Sequence, residues 1–322
     1  MLPAPKFFAQ LPNPFVLQIV GADAAKVVNN MSTNDLAQLP VGSALESFIT
    51  DVRGWVVAHA GILKQSDRVL LLGSHASPTA IANHIDRYIV REDAVVTNVS
   101  QEFALFIVGD GPEEFVDGHV GERGSEGSVT GKPTAPLSDT MTVDPPSLFT
   151  CACPLPVFGQ GTLLLGCPSE QAKRAIEILA ANGSEFCTVE QFEWLRISSF
   201  WPLHPADISD KTIPQELDRD QQAISFTKGC YLGQETIARL DARGQLQKKL
   251  CLIELASSGE YAVGDALYNS DKQVGHITSL ARDPASQVVR ALGILRRGNF
   301  APGTRLTCHD FEAVVLPILQ IV

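Results

Sequence analysis

Short apolar runs alternate with polar turns over the first half of the chain, and this pattern predicts several strands. Residues 15–20 and 55–63 have the length and composition of strands bounded by turn residues. Ser77 followed by Pro78 predicts a helix start, because serine is a good N-cap and proline suits the first helical position. Strands that alternate with amphipathic helices, without long parallel βαβ spacing, indicate an α+β fold.

The pattern changes near Gly244, where short apolar segments separated by turn residues begin. Segments such as 274–278 and 288–294 predict an all-β end, either a small barrel or a sandwich. Residues 117–147 are rich in Gly, Pro, Ser and Thr and predict a long loop. A length of 322 residues indicates two or three domains.

Composition narrows the classes of function. The formal net charge of −11 argues against stable nucleic-acid binding, which depends on basic surfaces. The sequence has no apolar run long enough to span a membrane and begins without a secretory leader, so we expect a cytoplasmic protein with no membrane partner. Seven irregularly spaced cysteines argue against a disulfide framework, and the scattered histidines predict no metal site. The one close pair, Cys151 and Cys153, is a weak metal signal.

Residues 225–235 carry the most distinctive chemistry. This segment passes through a glycine to Cys230 and predicts a helix that begins at Leu232 or the next residue. A helix N-terminus and the neighbouring Lys228 both favour a thiolate, so we expect Cys230 to be reactive. On physical grounds alone, a plain strand-to-helix corner with a buried cysteine is the alternative, and those grounds slightly favour it.

Residues 228–239, KGCYLGQETIAR, resemble the K-G-C-[FY]-x-G-Q-E-x-[VI]-A-R signature of the YgfZ family. Thr33-Asn34-Asp35 resembles the N-terminal pattern of that family, and residues 264–268 and 274–279 resemble its C-terminal strands, so the similarity covers nearly the whole chain. The family is related in fold to the aminomethyltransferase T-protein of the glycine cleavage system. The resemblance implies a three-domain ring, with ferredoxin-like α+β domains and a small C-terminal β-barrel, around a central folate site.

The resemblance also implies domain limits and a function. We expect an N-terminal α+β folate-binding domain over residues 1–103, completed by 190–244, a middle α+β domain over 104–189 and a barrel over 245–322. The implied role is binding of tetrahydrofolate or a derivative, in the service of iron–sulfur proteins or their assembly factors and indirectly of tRNA modification. The alternatives are a tetrahydrofolate-dependent aminomethyltransferase and a binding module with a merely structural cysteine.

Several site residues follow from the resemblance. Cys230 and Lys228 are the implied chemical groups, and Glu216 is the implied pterin ligand, since a carboxylate can accept two neighbouring N–H donors. Phe192 and Trp194 correspond to aromatic neighbours of folate, with ordinary core packing as the alternative. The remaining expected folate contacts are Tyr231, Gln234, Glu235 and Arg239.

Two further features bear on this site. Thr188 and Gln191 predict a capping box for the helix that carries the two aromatic residues. A basic cluster around the signature could hold a polyglutamate tail or form a solvated face; it comprises Lys228, Arg239, Arg243, Lys248 and Lys249.

Departures from the family patterns limit the transfer of function. The bulky Phe200 and Trp201 stand where the family has small residues. The catalytic carboxylate of the T-protein aligns near residues 53–58, which contain no Asp or Glu. Aminomethyl transfer is therefore disfavoured, because the group that would handle the proton is missing.

Overall fold

In the residues that the structure describes, the fold consists of two five-stranded sheets and a closed six-stranded barrel. This confirms the predicted α+β class and decides between a barrel and a sandwich at the C-terminal end. The predicted loop over 117–147 and the predicted change near Gly244 lie outside the described residues. The computed structural model describes residues 7–109, 148–155, 157–158, 161–243 and 246–318.

Three 3₁₀ turns, at Ser100–Glu102, Ser169–Gln171 and Pro214–Leu217, accompany the strands and helices of the described residues. In chain order the strands and helices are β1 (Phe7–Gln10), β2 (Pro14–Val20), α1 (Ala24–Asn29), β3 (Ala44–Thr50), β4 (Val56–Lys64), β5 (Arg68–Ser74), α2 (Pro78–Asp86), β6 (Val95–Asn98), β7 (Phe103–Gly109), β8 (Cys151–Pro154), β9 (Leu163–Pro168), α3 (Ala172–Ala181), β10 (Glu185–Phe186), α4 (Val189–Ser198), α5 (Asp220–Ala223), α6 (Gln234–Arg243), β11 (Lys248–Leu255), β12 (Ala266–Asn269), β13 (Lys272–Arg282), β14 (Val289–Arg296), β15 (Arg305–Cys308) and β16 (Phe311–Val315).

Two predicted helix starts are confirmed. The Ser77 hydroxyl accepts a hydrogen bond from the Ala80 N–H at 3.3 Å, with Pro78 as the first residue of α2. At α4, Thr188 and Gln191 form the predicted capping box, with reciprocal hydrogen bonds between side chain and backbone. These local signals are readable from sequence because each depends on residues within one turn.

The strand order places β1 away from its neighbours in sequence. The first sheet has the order β3-β4-β5-β2-β6, the second β10-β1-β7-β9-β8 and the barrel β11-β14-β13-β12-β15-β16. Phe8 of β1 pairs with Val108 of β7 and is fully buried in the second sheet. The second sheet thus includes the start of the chain, and the expected domain limits stay a prediction.

Buried charges join the segment after α4 to the barrel. Arg196 of α4 donates to the Asp207 carboxylate at 3.0 Å, and both side chains are almost fully buried. The other Asp207 oxygen accepts hydrogen bonds from Thr278 at 2.6 Å and Ser279 at 2.8 Å, both on β13. Since a buried carboxylate needs such partners, this network fixes where α4 meets the barrel.

A second buried network joins the same segment to the first sheet. Glu46 of β3 accepts hydrogen bonds from the Arg219 guanidinium through both carboxylate oxygens, and its Oε1 lies 2.7 Å from His59 Nε2. Burial would raise the pKa of Glu46, but Arg219 and then His59 hold it well below its usual range. The carboxylate is therefore ionised at neutral pH and holds the region before α5 against β3.

We predict that Glu46→Gln lowers the free energy of unfolding by about 3 kcal/mol at neutral pH, because it leaves the Arg219 charge buried without its partner. Urea unfolding would measure the change. The stability from this carboxylate exists above the range in which a free glutamate titrates and is lost in acid, so the difference from wild type should shrink as the pH falls.

The exposed pair of Arg305 and Glu312 supplies the matched control, with 79% and 54% of the two side chains accessible. Glu312→Gln should change stability little, since exposed ion pairs contribute little. Equal effects of Glu46→Gln and Glu312→Gln would contradict the role given to the buried pair.

Candidate functional site

The signature segment crosses the edge of the first sheet and ends at α6. Lys228 is buried, whereas Gly229 and Cys230 are exposed. The helix begins at Gln234 rather than at the expected Leu232 or the next residue. The reason is Gly233, whose φ of +77° lies outside the right-handed helical region.

Lys228 anchors the segment to the end of α1. The last carbonyls of a helix have no partner within the helix and carry partial negative charge, so they suit an ammonium group. The Lys228 ammonium donates to the carbonyl oxygens of Asn29 at 2.8 Å, Ser32 at 2.7 Å and Asn34 at 2.8 Å.

Burial and one aromatic ring complete the surroundings of Lys228. Its Nζ lies 5.0 Å from the centre of the Tyr231 ring, which is a cation–π distance. Burial lowers the pKa of Lys228 to about 8, and the charge of Asp35 opposes that shift. The expected effect of this lysine on the Cys230 thiol stays a prediction, because its ammonium is engaged with the α1 end.

Backbone hydrogen bonds hold the segment on both sides of Cys230. The Ser225 N–H donates to the Thr33 carbonyl at 2.9 Å. The Leu232 N–H donates to the Asn30 carbonyl at 2.9 Å, and the Leu232 carbonyl accepts from the Thr50 hydroxyl at 2.7 Å. The signature and the Thr33-Asn34-Asp35 pattern, distant in sequence, therefore form one structural unit.

Two glycines allow the loop after β3 to touch the segment. A Cβ atom on Gly233 would lie 2.3 Å from the Gly54 Cα and 2.6 Å from the Asp51 carbonyl oxygen. In that loop Asp51 accepts hydrogen bonds from the N–H groups of Arg53 at 2.8 Å and Trp55 at 2.9 Å. The carboxylate nearest in sequence to residues 53–58 is thus used to shape its own turn.

Cys230 is the only exposed cysteine of the seven, all of which lie in the described part of the chain. Its exposure does not fit the alternative of a corner with a buried cysteine. Cys151 and Cys153 are core residues of β8, and burial raises the pKa of Cys151 to about 12. Accessibility therefore separates Cys230 from the rest, while its reactivity stays a prediction.

Glu216 lies buried on the 3₁₀ turn, one helical turn before α5. Its Oε2 accepts from the Ile213 N–H at 3.2 Å and lies 3.4 Å from the Lys248 ammonium. Burial raises the pKa of Glu216, and Lys248 opposes that shift. The carboxylate has partners within the protein, and its contact with a pterin stays a prediction.

The predicted aromatic neighbours occupy two different environments. Phe192 is buried in the core that the first and second sheets share, and its ring packs edge-on against Trp201 at 6.2 Å. Trp194 is half-buried, with the Arg290 guanidinium 5.0 Å from its ring centre. Phe200 fills the space between β3 and the barrel. The bulky pair Phe200 and Trp201 therefore serves packing in two separate cores.

The remaining predicted contacts lie on or before α6. Tyr231 is buried and Gln234 half-buried, whereas Glu235 and Arg239 are exposed on the helix. The basic residues do not form one exposed cluster, because Lys228 is buried and Lys249 pairs with Asp218 at 2.7 Å. The Arg243 side chain lies outside the described residues.

A cleft of about 390 Å³ lies between α5, the start of β11 and the C-terminal segment. Its walls combine charged and apolar residues, and neither Glu216 nor Cys230 is among the described residues that line it. Sequence reasoning missed it because the walls come from segments far apart in the chain. Lining residues that bear on function are Phe200, Asp218, Arg219, Gln222, Lys249 and Leu316.

Asn34 links this cleft to the signature segment. Its side-chain amide donates to the Gln222 carbonyl at 2.9 Å, at the edge of the cleft. Its own carbonyl accepts from the Lys228 ammonium at 2.8 Å. Two hydrogen bonds through one residue therefore connect the cleft to the lysine that anchors the Cys230 segment.

Comparison with solved structures defines the class of fold. The chain superposes on the glycine cleavage system aminomethyltransferase T of Bartonella henselae with a TM-score of 0.72. The match covers 99% of this chain and 87% of that protein at 14% identity, so it shows an aminomethyltransferase-like fold. No helix in the described ranges is both long and apolar enough to cross a membrane.

Sequence relatives narrow the class further. The chain is 23% identical over 253 residues to the tRNA-modifying protein YgfZ of Yersinia enterocolitica, covering 78% of this chain and 72% of that protein. It is 25% identical over 303 residues to a chloroplastic protein of Arabidopsis thaliana named as a transferase, covering 93% and 67%. No protein-family model matches. These similarities confirm the predicted resemblance: the chain is similar in sequence to YgfZ proteins and has an aminomethyltransferase-like fold.

We predict that Gly233→Ala lowers the free energy of unfolding by at least about 2 kcal/mol, because the added methyl group meets the Gly54 backbone and the residue keeps a positive φ. Urea unfolding would measure the loss, and the rate of Cys230 alkylation in native protein would rise as the segment loosens.

Gly229→Ala is the matched control, since a Cβ atom there meets nothing within 4 Å. It should change stability by less than about 1 kcal/mol. If Gly233→Ala is as mild as Gly229→Ala, the close contact with Gly54 does not hold the segment.

Proposed function

We propose that the chain is a cytoplasmic folate-binding accessory protein that serves iron–sulfur proteins or their assembly factors. In this role it supports tRNA modification indirectly. The observation that carries the proposal is the connection from the cleft through Asn34 to Lys228, beside the exposed Cys230. The bacterial relatives are named tRNA-modifying proteins, which supports the link to tRNA.

The cleft has the size and chemistry that a folate needs. Its volume of about 390 Å³ lies in the range of pockets for drug-sized ligands. Phe200 and Leu316 supply apolar wall for the flat ring system, while Asp218 can accept N–H donors of a pterin. Lys249 is the cation for the glutamate carboxylate. Tetrahydrofolate or a derivative is therefore the proposed ligand.

Cys230 is the proposed chemical group of the protein. It is exposed, and its backbone is held on both sides by hydrogen bonds to the first sheet. A fixed, accessible thiol suits contact with the sulfur or metal of a partner protein. Lys228 positions this thiol by anchoring the segment to the end of α1.

Aminomethyl transfer is the alternative activity, and the site argues against it. The loop over 53–58 has no Asp or Glu, and the Asp51 carboxylate accepts hydrogen bonds from its own turn. A positioned base for the substrate amine is therefore missing there. Glycine cleavage activity with a lipoyl carrier protein would favour the alternative.

Isothermal titration calorimetry with tetrahydrofolate tests the ligand and its place. We expect wild-type protein to bind, and Asp218→Asn and Lys249→Met each to weaken binding by about tenfold, which corresponds to one lost charged contact. The reason is that both side chains line the cleft, and each substitution nearly preserves size.

Glu216→Gln is the matched comparison, because Glu216 lies on the 3₁₀ turn that ends directly before Asp218. If only Glu216→Gln weakens binding, the folate lies at the pterin position expected from sequence and not in the cleft. If wild-type protein does not bind tetrahydrofolate, the proposed function fails at its first step.

Cys230→Ser tests the thiol in cells that lack their own YgfZ protein. We expect wild-type chain to restore the activity of an iron–sulfur enzyme and the level of modified tRNA, and Cys230→Ser to lose both while accumulating normally. The reason is that serine keeps the size of the side chain but cannot act as a thiolate.

Cys187→Ser, at a half-buried cysteine on another part of the fold, should restore both readouts. Full restoration by Cys230→Ser would remove the thiol from the mechanism and leave folate binding as the remaining function.

A further inference from the structure

Three side chains with metal-binding atoms meet at one end of the barrel. Cys308 is the last residue of β15, His309 follows in the turn to β16, and Asp265 precedes β12. The Cys308 sulfur, a His309 ring nitrogen and an Asp265 carboxylate oxygen lie within 4.8 Å of one another. In the ranges that the structure describes, no other three His, Cys, Asp or Glu side chains come together in this way.

The barrel itself sets this arrangement. Cys308 pairs with Leu267 across the antiparallel strands β15 and β12, so the residue two before Leu267 faces the turn after Cys308. His309 has a φ of +51°, which turns the chain back into β16. These constraints come from strand register and turn geometry, which place both elements independently of any bound ion.

Asp265 and His309 are already oriented towards each other. His309 Nε2 lies 2.9 Å from Asp265 Oδ2, and the same oxygen accepts from the Ala262 N–H at 2.7 Å. Two ligands around a tetrahedral zinc ion are about 3.3 Å apart, given bonds of about 2.0 Å. The distance between His309 Nε2 and Asp265 Oδ2 would need to increase by only a few tenths of an ångström. The His309 side chain is 55% exposed and able to move.

Cys308 lies on the buried side of this group. Its side chain is fully buried in the barrel core, while His309 and Asp265 lie at the surface above it. A thiolate, an imidazole and a carboxylate together suit zinc, which takes three protein ligands and a water molecule in open sites. The buried sulfur is a third ligand, which an exposed pair of His309 and Asp265 alone would lack.

We propose that Asp265, Cys308 and His309 bind a divalent transition-metal ion of the zinc type. The Cys308 thiol releases its proton to solvent and bonds the metal through sulfur. The His309 imidazole shifts its proton from Nε2 to Nδ1 through solvent, so that Nε2 bonds the metal in place of its hydrogen bond to Asp265. Asp265 bonds the metal through a carboxylate oxygen, and water fills the fourth position. The ion would fasten the β15–β16 hairpin to the start of β12.

Titration with Co²⁺ tests this site, because a cobalt–thiolate bond gives a charge-transfer band in the near ultraviolet. The full chain with Cys230→Ser is the starting protein, so that the exposed thiol cannot contribute. We expect one Co²⁺ per chain, the thiolate band, displacement by Zn²⁺ and a higher melting temperature with metal.

His309→Asn and Asp265→Asn are the decisive variants in that background. Asparagine tolerates the positive φ at His309, and at Asp265 it keeps an acceptor for the Ala262 N–H. Each should weaken Co²⁺ binding by at least about tenfold. Cys308→Ala should abolish the thiolate band, and Cys251→Ala, at another buried barrel cysteine, should preserve it.

Absence of the band in the starting protein would overturn the proposal, as would binding that neither asparagine variant weakens. In either case His309 and Asp265 form an exposed ion pair only. If Cys308→Ala does not fold, the two asparagine variants still decide the question.

Discussion

The buried ammonium group of Lys228 is the constraint on which the arrangement around Cys230 depends. Moving a charge from water into the protein is costly unless it is hydrogen-bonded. The carbonyl oxygen of Asn29 at the end of α1, those of Ser32 and Asn34 in the loop that follows, and the ring of Tyr231 supply the compensation. The side chain of Lys228 is held inward, whereas the next two residues, Gly229 and Cys230, lie at the surface.

Buried charged pairs also fix how α4 meets the barrel and how the region before α5 meets the first sheet. Arg196 and Asp207 join α4 to the barrel, while Glu46 and Arg219 join the region before α5 to the first sheet. Apolar packing by Phe200 fills the space between these joints. Because hydrophobic contacts are not directional, the charged pairs supply the geometric precision that relates the cleft to the signature segment.

Sequence reasoning predicted the local features well and the long-range ones poorly. The Ser77 cap and the capping box at Thr188 depend on neighbouring residues, and both formed as expected. The inward turn of Lys228 could not be read from the sequence, because its partners are almost two hundred positions away. The cleft was missed for the same reason. The α+β class followed from the alternation of strands and helices, whereas the three-domain arrangement and the site assignments came from the family resemblance and stay predictions.

Strand geometry bears on where a ligand would act. Lys248 and Lys249 are consecutive on β11, so their side chains point to opposite faces. Lys248 faces Glu216, whose side chain is only 8% exposed, whereas Lys249 lines the cleft and pairs with Asp218, which is 37% exposed. An anionic ligand at Lys249 would displace a carboxylate that is partly exposed and can turn to water at little cost, whereas at Lys248 it would displace one that the protein encloses. This difference in access supports the proposal that the carboxylate of the ligand lies at Lys249.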